Sequence, residues 1–460
     1  MRPSFLYLTA HLSLVLLGGC AAFHPSVRAL STSARLAACF GTGAILLTVE
    51  ALLFSALGIP WSVAGLALPL LAAAVIAGWK ASIQPPERRA GERPAGWVAR
   101  VTAAVFVLAA IHLAASLVTS RSTSVDYLFF WGVKAVHFAQ ARGIDVELLK
   151  WPFFGHGVPE YPPLLPVVQA WGILFAGEMP WRRAGPLASA AWFLAALPIV
   201  FAMLRRRIGA NPAAAVTGFW SVALAVSLSV SYSGGNAEAP LLFYETVALV
   251  ALLTEPRDAP ASDRWLPAMA LAGAALTKVE ALPAAAFLIL GTLLRDRLDG
   301  RTGILRRAAP LIALPVAGVS AWFGFQLLSG LPVGYRGHGR LLDLHPEHLA
   351  NIGREMFRNL GAGTYGIAWG VPALVLIVFW RRAWQALPAL TMAAGILAFL
   401  AFDYLHDSAD PWERIGWTLP RVSQPALSAL ILGAALAMFG GTRRVETAAA
   451  AARSAEPEPA

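Results

Sequence analysis

Long apolar runs separated by short polar breaks fill the chain almost from end to end. A run of ~20 residues crosses ~30 Å of hydrocarbon as a helix. Runs near that length lie at Phe5 to Ala22, Leu36 to Leu57, Trp61 to Trp79, Val98 to Val118, Leu187 to Leu204 and Ala213 to Tyr232. Others follow at Pro240 to Leu253, Trp265 to Thr277, Leu282 to Leu294, Ala309 to Leu328, Tyr365 to Trp380, Trp384 to Phe402 and Val422 to Phe439. They are apolar on all faces and show no period-two alternation, so inside a bilayer only helices satisfy their backbones. The pattern predicts an all-α polytopic membrane protein with about thirteen transmembrane helices. The two runs flanking Lys278 are too short to span alone, which predicts a broken helix or a water-filled cavity at that point.

Composition agrees, at 57% hydrophobic and 13% charged over 460 residues. The net charge of +10 does not imply a nucleic-acid partner, because Lys and Arg fall in short clusters between apolar runs, where they set topology. The clusters are Arg88-Arg89, Arg205 to Arg207, Arg295 to Arg307, Arg381-Arg382 and Arg443-Arg444. All can face the cytoplasm together if Pro163 to Phe175 does not cross; its short, proline-started run reads as a helix lying on the outer surface. Four regions follow: N-terminal helices over 1–118, an outer loop with interfacial helices over 119–183, a transmembrane core over 184–440, and a disordered cytoplasmic tail over 441–460. Smaller outer regions are expected at Gly330 to Gly363 and Asp403 to Arg421. Cys20 and Cys39 lie in or beside apolar segments and support neither a disulfide framework nor a thiolate metal site.

The outer loop holds the first candidate chemistry. Val125 to Arg142 has helical spacing, with a glycine stop expected at Gly143 and aromatics suited to an interface. Asp126 opens it, a carboxylate held at the bilayer surface, and is either a functional group or the cap of the helix. Lys134 lies about two turns further on, free to face the same pocket or to snorkel.

Asp126-(x)4-Trp131-(x)2-Lys134-Ala135, then Gly155-His156-(x)3-Glu160-Tyr161-Pro162-Pro163-Leu164-Leu165-Pro166, resembles the first outer loop of polytopic GT-C glycosyltransferases. It is similar to the bacterial membrane proteins related to protein O-mannosyltransferases and the lipid A aminoarabinose transferase. Asn236-Ala237-Glu238-Ala239-Pro240 and Leu276-Thr277-Lys278-Val279-Glu280-Ala281 match that group's short acidic outer turn and its Thr-Lys-x-Glu-Gly element. Two positions depart from the group: Ala281 stands where it has glycine, and Glu238 where aspartate is commoner. The resemblance runs in order from about Ser120 to Arg421.

The resemblance implies inverting transfer of a sugar from a polyprenyl-phosphate donor to an acceptor hydroxyl on a glycan, lipid or protein. The site would face the periplasm, in the bacterial inner membrane. It also implies that Asp126 acts as general base and that Lys278, Lys134 and Arg421 supply positive charge to the leaving phosphate. Glu160 and Glu280 are candidates to position acceptor hydroxyls or hold a divalent ion, or else to serve a turn or pair with Lys278. Tyr161 and Glu238 belong to the same substrate-binding set. His156 reads as a loop histidine or a substrate contact, and Asn236 as a turn residue or a sugar contact. No residue is assigned to a metal, and a divalent ion is the one cofactor left open. The alternative is a transporter or flippase of a lipid-linked or anionic substrate, using Lys278 and Glu280 at the broken helix.

Overall fold

The computed structural model describes residues 2–82, 96–119, 124, 126–151, 160–180, 184–230, 235–257, 259–333, 343–406 and 411–440. Among the described residues the chain is all helical, with no strand. In order come α1 (Arg2–Leu17), α2 (Pro25–Arg28), α3 (Thr32–Ala56), α4 (Val63–Ser82), α5 (Gly96–Thr119), α6 (Gly132–Ala141) and α7 (Val146–Lys150). Next are α8 (Leu164–Ala176), α9 (Ala184–Ile208), α10 (Ala210–Val230), α11 (Glu238–Leu253), α12 (Trp265–Thr277), α13 (Ala281–Leu298) and α14 (Ile304–Leu328). The last five are α15 (Leu349–Gly361), α16 (Gly363–Val378), α17 (Leu387–Tyr404), α18 (Trp412–Val422) and α19 (Gln424–Phe439). His156, the stretch 335–340 and the tail from 441 lie outside the described residues.

The chain is an all-α membrane protein. Six described helical stretches are each long and apolar enough to cross a bilayer, and two bent helix pairs raise the number to 8 if each pair counts as one span. One pair, Trp412–Val422 with Gln424–Phe439, bends by 49°. Most of these helices are apolar all round, whereas α15 and α18 are strongly amphipathic and pack on one another.

α11 is the axis of the molecule, buried at every residue from Glu238 to Val250 and surrounded by α9, α12, α13 and α19. α12 packs on α14, α13 on α17, and α17 on α19. The N-terminal helices join this core through α3, whose Phe40 meets Trp192 of α9 edge-on at 4.7 Å between ring centroids. α1 and α3 approach to backbone contact at Gly18 and Gly43, where a Cβ on either would fall 2.0 Å from a carbonyl oxygen of the other helix.

Two expectations from the pattern change. The helix α8 forms where a surface helix is expected, but α1, α3 and α6 cover it, and Leu164 to Ile173 are buried throughout. Its apolar composition is matched by protein rather than by a bilayer interface. The basic segment Arg295 to Arg307 is not simply a solvated topology signal either. Arg264 grips Glu255 through two bonds of 2.8 Å and reaches Asp296 at 2.6 Å, while Arg301 and Arg307 meet Glu255 at 2.7 and 2.9 Å. Three acids, Glu255, Asp296 and Asp299, fold the surrounding arginines inward. Burial resists ionisation of Glu255, but the guanidiniums outweigh it and hold the carboxyl below its ordinary range.

Candidate functional site

Glu238 and Glu255 bracket α11, so at 1.5 Å per residue the arginine cluster lies about 25 Å from the helix start. At that start, on the opposite end of the molecule, is a cavity of about 470 Å³. Five chain regions meet there: the turn after Asp126, Tyr161, the start of α11, the turn between α12 and α13, and the α17–α18 corner with the start of α19.

Each polar group arrives for a local reason. Lys278 sits where α12 ends, with φ −150° and ψ 148°, an extended residue before α13 restarts at Ala281. The expected broken helix is instead a reversal: Arg264 before α12 and Asp296 late in α13 meet at 2.6 Å at the far end, so the two helices run antiparallel. Their turn presents Lys278, Val279 and Glu280 to the expected cavity. Asp126 precedes a π-helical turn, Tyr127–Trp131, a widened geometry that recurs at functional sites. Its carboxylate makes no capping bond to that turn. It accepts instead from Nη1 of Arg421, near the end of α18. Gly235, at φ +86°, packs directly under the Tyr127 ring, and Asn236 accepts from the Ser124 hydroxyl at 2.7 Å, tying this segment to the start of α11.

A chain of ion pairs crosses the cavity wall. Arg421 bridges Asp126 and Glu238, its Nε lying 3.3 Å from Glu238 Oε1. Lys278 Nζ lies 3.2 Å from the same oxygen and 3.6 Å from Glu280 Oε1. Tyr161 donates to Glu280 at 2.5 Å and stacks on Trp131, ring centroids 5.6 Å apart. Across the cavity, Arg414 pairs with Asp403 at 2.5 Å, and Tyr404 shares a 2.7 Å hydrogen bond with Thr418. One buried oxygen on each of Glu238, Glu245 and Glu280 lacks a protein hydrogen-bond partner. Leu241, Leu282, Ile396, Phe399 and Leu400 form an apolar wall beside this polar one.

Of the residues singled out in the sequence, Asp126, Tyr161, Glu238, Lys278, Glu280 and Arg421 all line this cavity. Lys134 does not. It is buried behind Trp131, its Nζ 5.4 Å from that ring's centroid, and burial drives its amine down to about 7 against the opposing pull of Glu160. Glu160 is likewise buried outside the cavity lining, and its carbonyl accepts from Trp322 at 2.8 Å. Asn236 is fully buried and supports the site from beneath, and His156 lies outside the described residues.

Glu245, Asp403, Tyr404, Arg414, Trp417 and Thr418 join the lining without having been picked as site residues. For Glu245 the signal was a carboxylate inside an apolar run, a placement that usually faces a bundle interior. For the α18 set it was the amphipathic spacing of Trp412 to Val422. Among the described residues no group of three His, Cys or carboxylate ligands converges inside the cavity. No family model, curated protein or solved structure matches the chain.

Proposed function

We propose that the cavity is the active site of a glycosyltransferase of GT-C type, which moves a sugar from a polyprenyl-phosphate donor to an acceptor hydroxyl at the periplasmic face of a bacterial inner membrane. One observation carries the reading: a carboxylate, three cations and further carboxylates converge beside an apolar wall, in a cavity where the ends of the apolar helices α11, α12 and α17 meet. That is the amphipathic complement of a lipid phosphosugar. In this reading the remaining short apolar helices complete the thirteen spans counted in the sequence.

The chemistry follows from the positions. The donor phosphate takes the guanidinium of Arg421 and the ammonium of Lys278, and so releases Asp126 from its pairing with Arg421. Asp126 then accepts the proton of the acceptor hydroxyl as that oxygen attacks the anomeric carbon. The bond from anomeric carbon to phosphate oxygen breaks, and polyprenyl phosphate leaves with its charge met by Lys278 and Arg421. Attack opposite the leaving group inverts the anomeric centre. Glu238, Glu245 and Glu280 present oxygens to sugar hydroxyls, each a good acceptor for an O–H donor. Lys134 and Glu160 act from behind the wall, Lys134 holding Trp131 rather than touching phosphate.

The lining, charged on one wall and apolar on the other, also suits a second reading, a flippase that moves a lipid-linked anion through the same cavity. Reconstituted protein given envelope extract as acceptor and a panel of polyprenyl-phosphate sugars labelled in the sugar separates the two. The enzyme forms labelled product with release of polyprenyl phosphate. Movement of intact donor across the vesicle wall with no product formed would replace the first reading by the second.

A further inference from the structure

A second cluster of ligating side chains lies outside the cavity, close to the end of α17. His345-Pro346-Glu347-His348 forms the single 3-10 turn that leads into α15, with Pro346 fixing the backbone between the first two ligand candidates. The backbone N–H of His345 donates to the carbonyl of Leu405 at 2.7 Å, which docks the turn onto the end of α17. One ligand atom from each of His345, Glu347 and His348 lies within 4.8 Å of the others, and His345 Nδ1 is 3.0 Å from Glu347 Oε1.

We propose that His345, Glu347 and His348 bind a divalent transition ion of the Zn²⁺ class. Two imidazoles and one carboxylate suit a borderline-soft ion, whereas Ca²⁺ and Mg²⁺ take sets made of oxygen. Tetrahedral bonds of ~2.0–2.1 Å put ligand atoms about 3.3 Å apart. The 3.0 Å pair already sits close to such an edge, and a turn of the His348 side chain brings in the third ligand. The Glu347 side chain is 62% exposed, so a fourth position is open to water. The ion staples the turn that starts α15. Because α15 packs on α18, which carries Arg414 and Arg421, the staple stiffens one wall of the cavity.

The test uses the full chain in lipid nanodiscs, purified without a histidine tag and freed of metal with chelator. Co²⁺ is titrated by its visible absorption and then displaced by Zn²⁺, in wild type, in Glu347→Gln and in the His345→Ala/His348→Ala double variant. Wild type takes up one equivalent with a tetrahedral spectrum. Glu347→Gln binds about tenfold or more weakly, and the double variant shows no saturable uptake. These side chains are partly exposed, so metal-free Tm is unchanged by the substitutions, and Zn²⁺ raises Tm in wild type alone. Equal uptake or an equal Zn²⁺ shift in wild type and the double variant overturns the site, as does a wild type that binds Co²⁺ no better than Ca²⁺.

Discussion

Arg421 is the residue on which the cavity's charges depend, because it touches Asp126 and Glu238 together. Replacing it by Met leaves two carboxylates short of a partner at a site where both side chains are largely covered. Breaking a buried pair in this way costs about 3–5 kcal/mol, and losing one preorganised charge costs roughly 100-fold in rate. Arg421→Met is therefore expected to lower both Tm and transfer, and Arg421→Lys to recover stability in part through a single point charge. Lys134 gives a prediction of a different kind. It surrenders its proton near pH 7 in the folded protein but keeps it to about 10.5 when unfolded. The unfolded state then binds more protons between those values, so stability rises with pH across that window. Thermal unfolding followed from pH 7 to 10 should show this rise in wild type and lose it in Lys134→Met.

At the scale of elements, the π-turn after Asp126 rests on Gly235. A Cβ there would fall 2.2 Å from the Tyr127 ring, in a backbone conformation that side chains rarely adopt. Gly235→Ala should displace the turn, lower stability by about 1–3 kcal/mol as overpacking does, and reduce transfer at least tenfold; an unchanged rate would show that Asp126 is not positioned from below. The elements differ in how far the sequence disclosed them. The cavity at Lys278 was legible because two runs too short to span met at a lysine and a glutamate, but the reversal of the chain there was not, since it depends on the distant Arg264–Asp296 pair. Asp126 was legible as a lone carboxylate at the end of an apolar run. The Asp403–Arg414 pair and the Arg421 bridge were not, because each joins elements whose packing no local pattern encodes. The burial of α8 was hidden for the same reason: an apolar helix covered by protein and one lying on a bilayer surface share a composition.

Across the whole molecule, two polar centres cap opposite ends of α11. The cavity is suited to chemistry, whereas the cluster around Glu255, Arg264 and Asp296 holds together the loops that join α11 to α12 and α13 to α14. Glu255, held below its ordinary range by its arginines, stabilises the fold above that range, and the contribution is lost as pH falls through its lowered folded value. Glu255→Gln is expected to reduce Tm at neutral pH and to flatten the acid side of the Tm profile, while leaving transfer per folded molecule unchanged. Asp126 bears the central claim, and its replacement by Asn keeps size and most contacts while removing the base. The decisive measurement is transfer from labelled polyprenyl-phosphate sugars into envelope acceptors, with donor binding measured on the same membranes, for wild type and Asp126→Asn at equal protein level. The account predicts that donor binding persists and transfer is abolished; substantial transfer by the variant would contradict it.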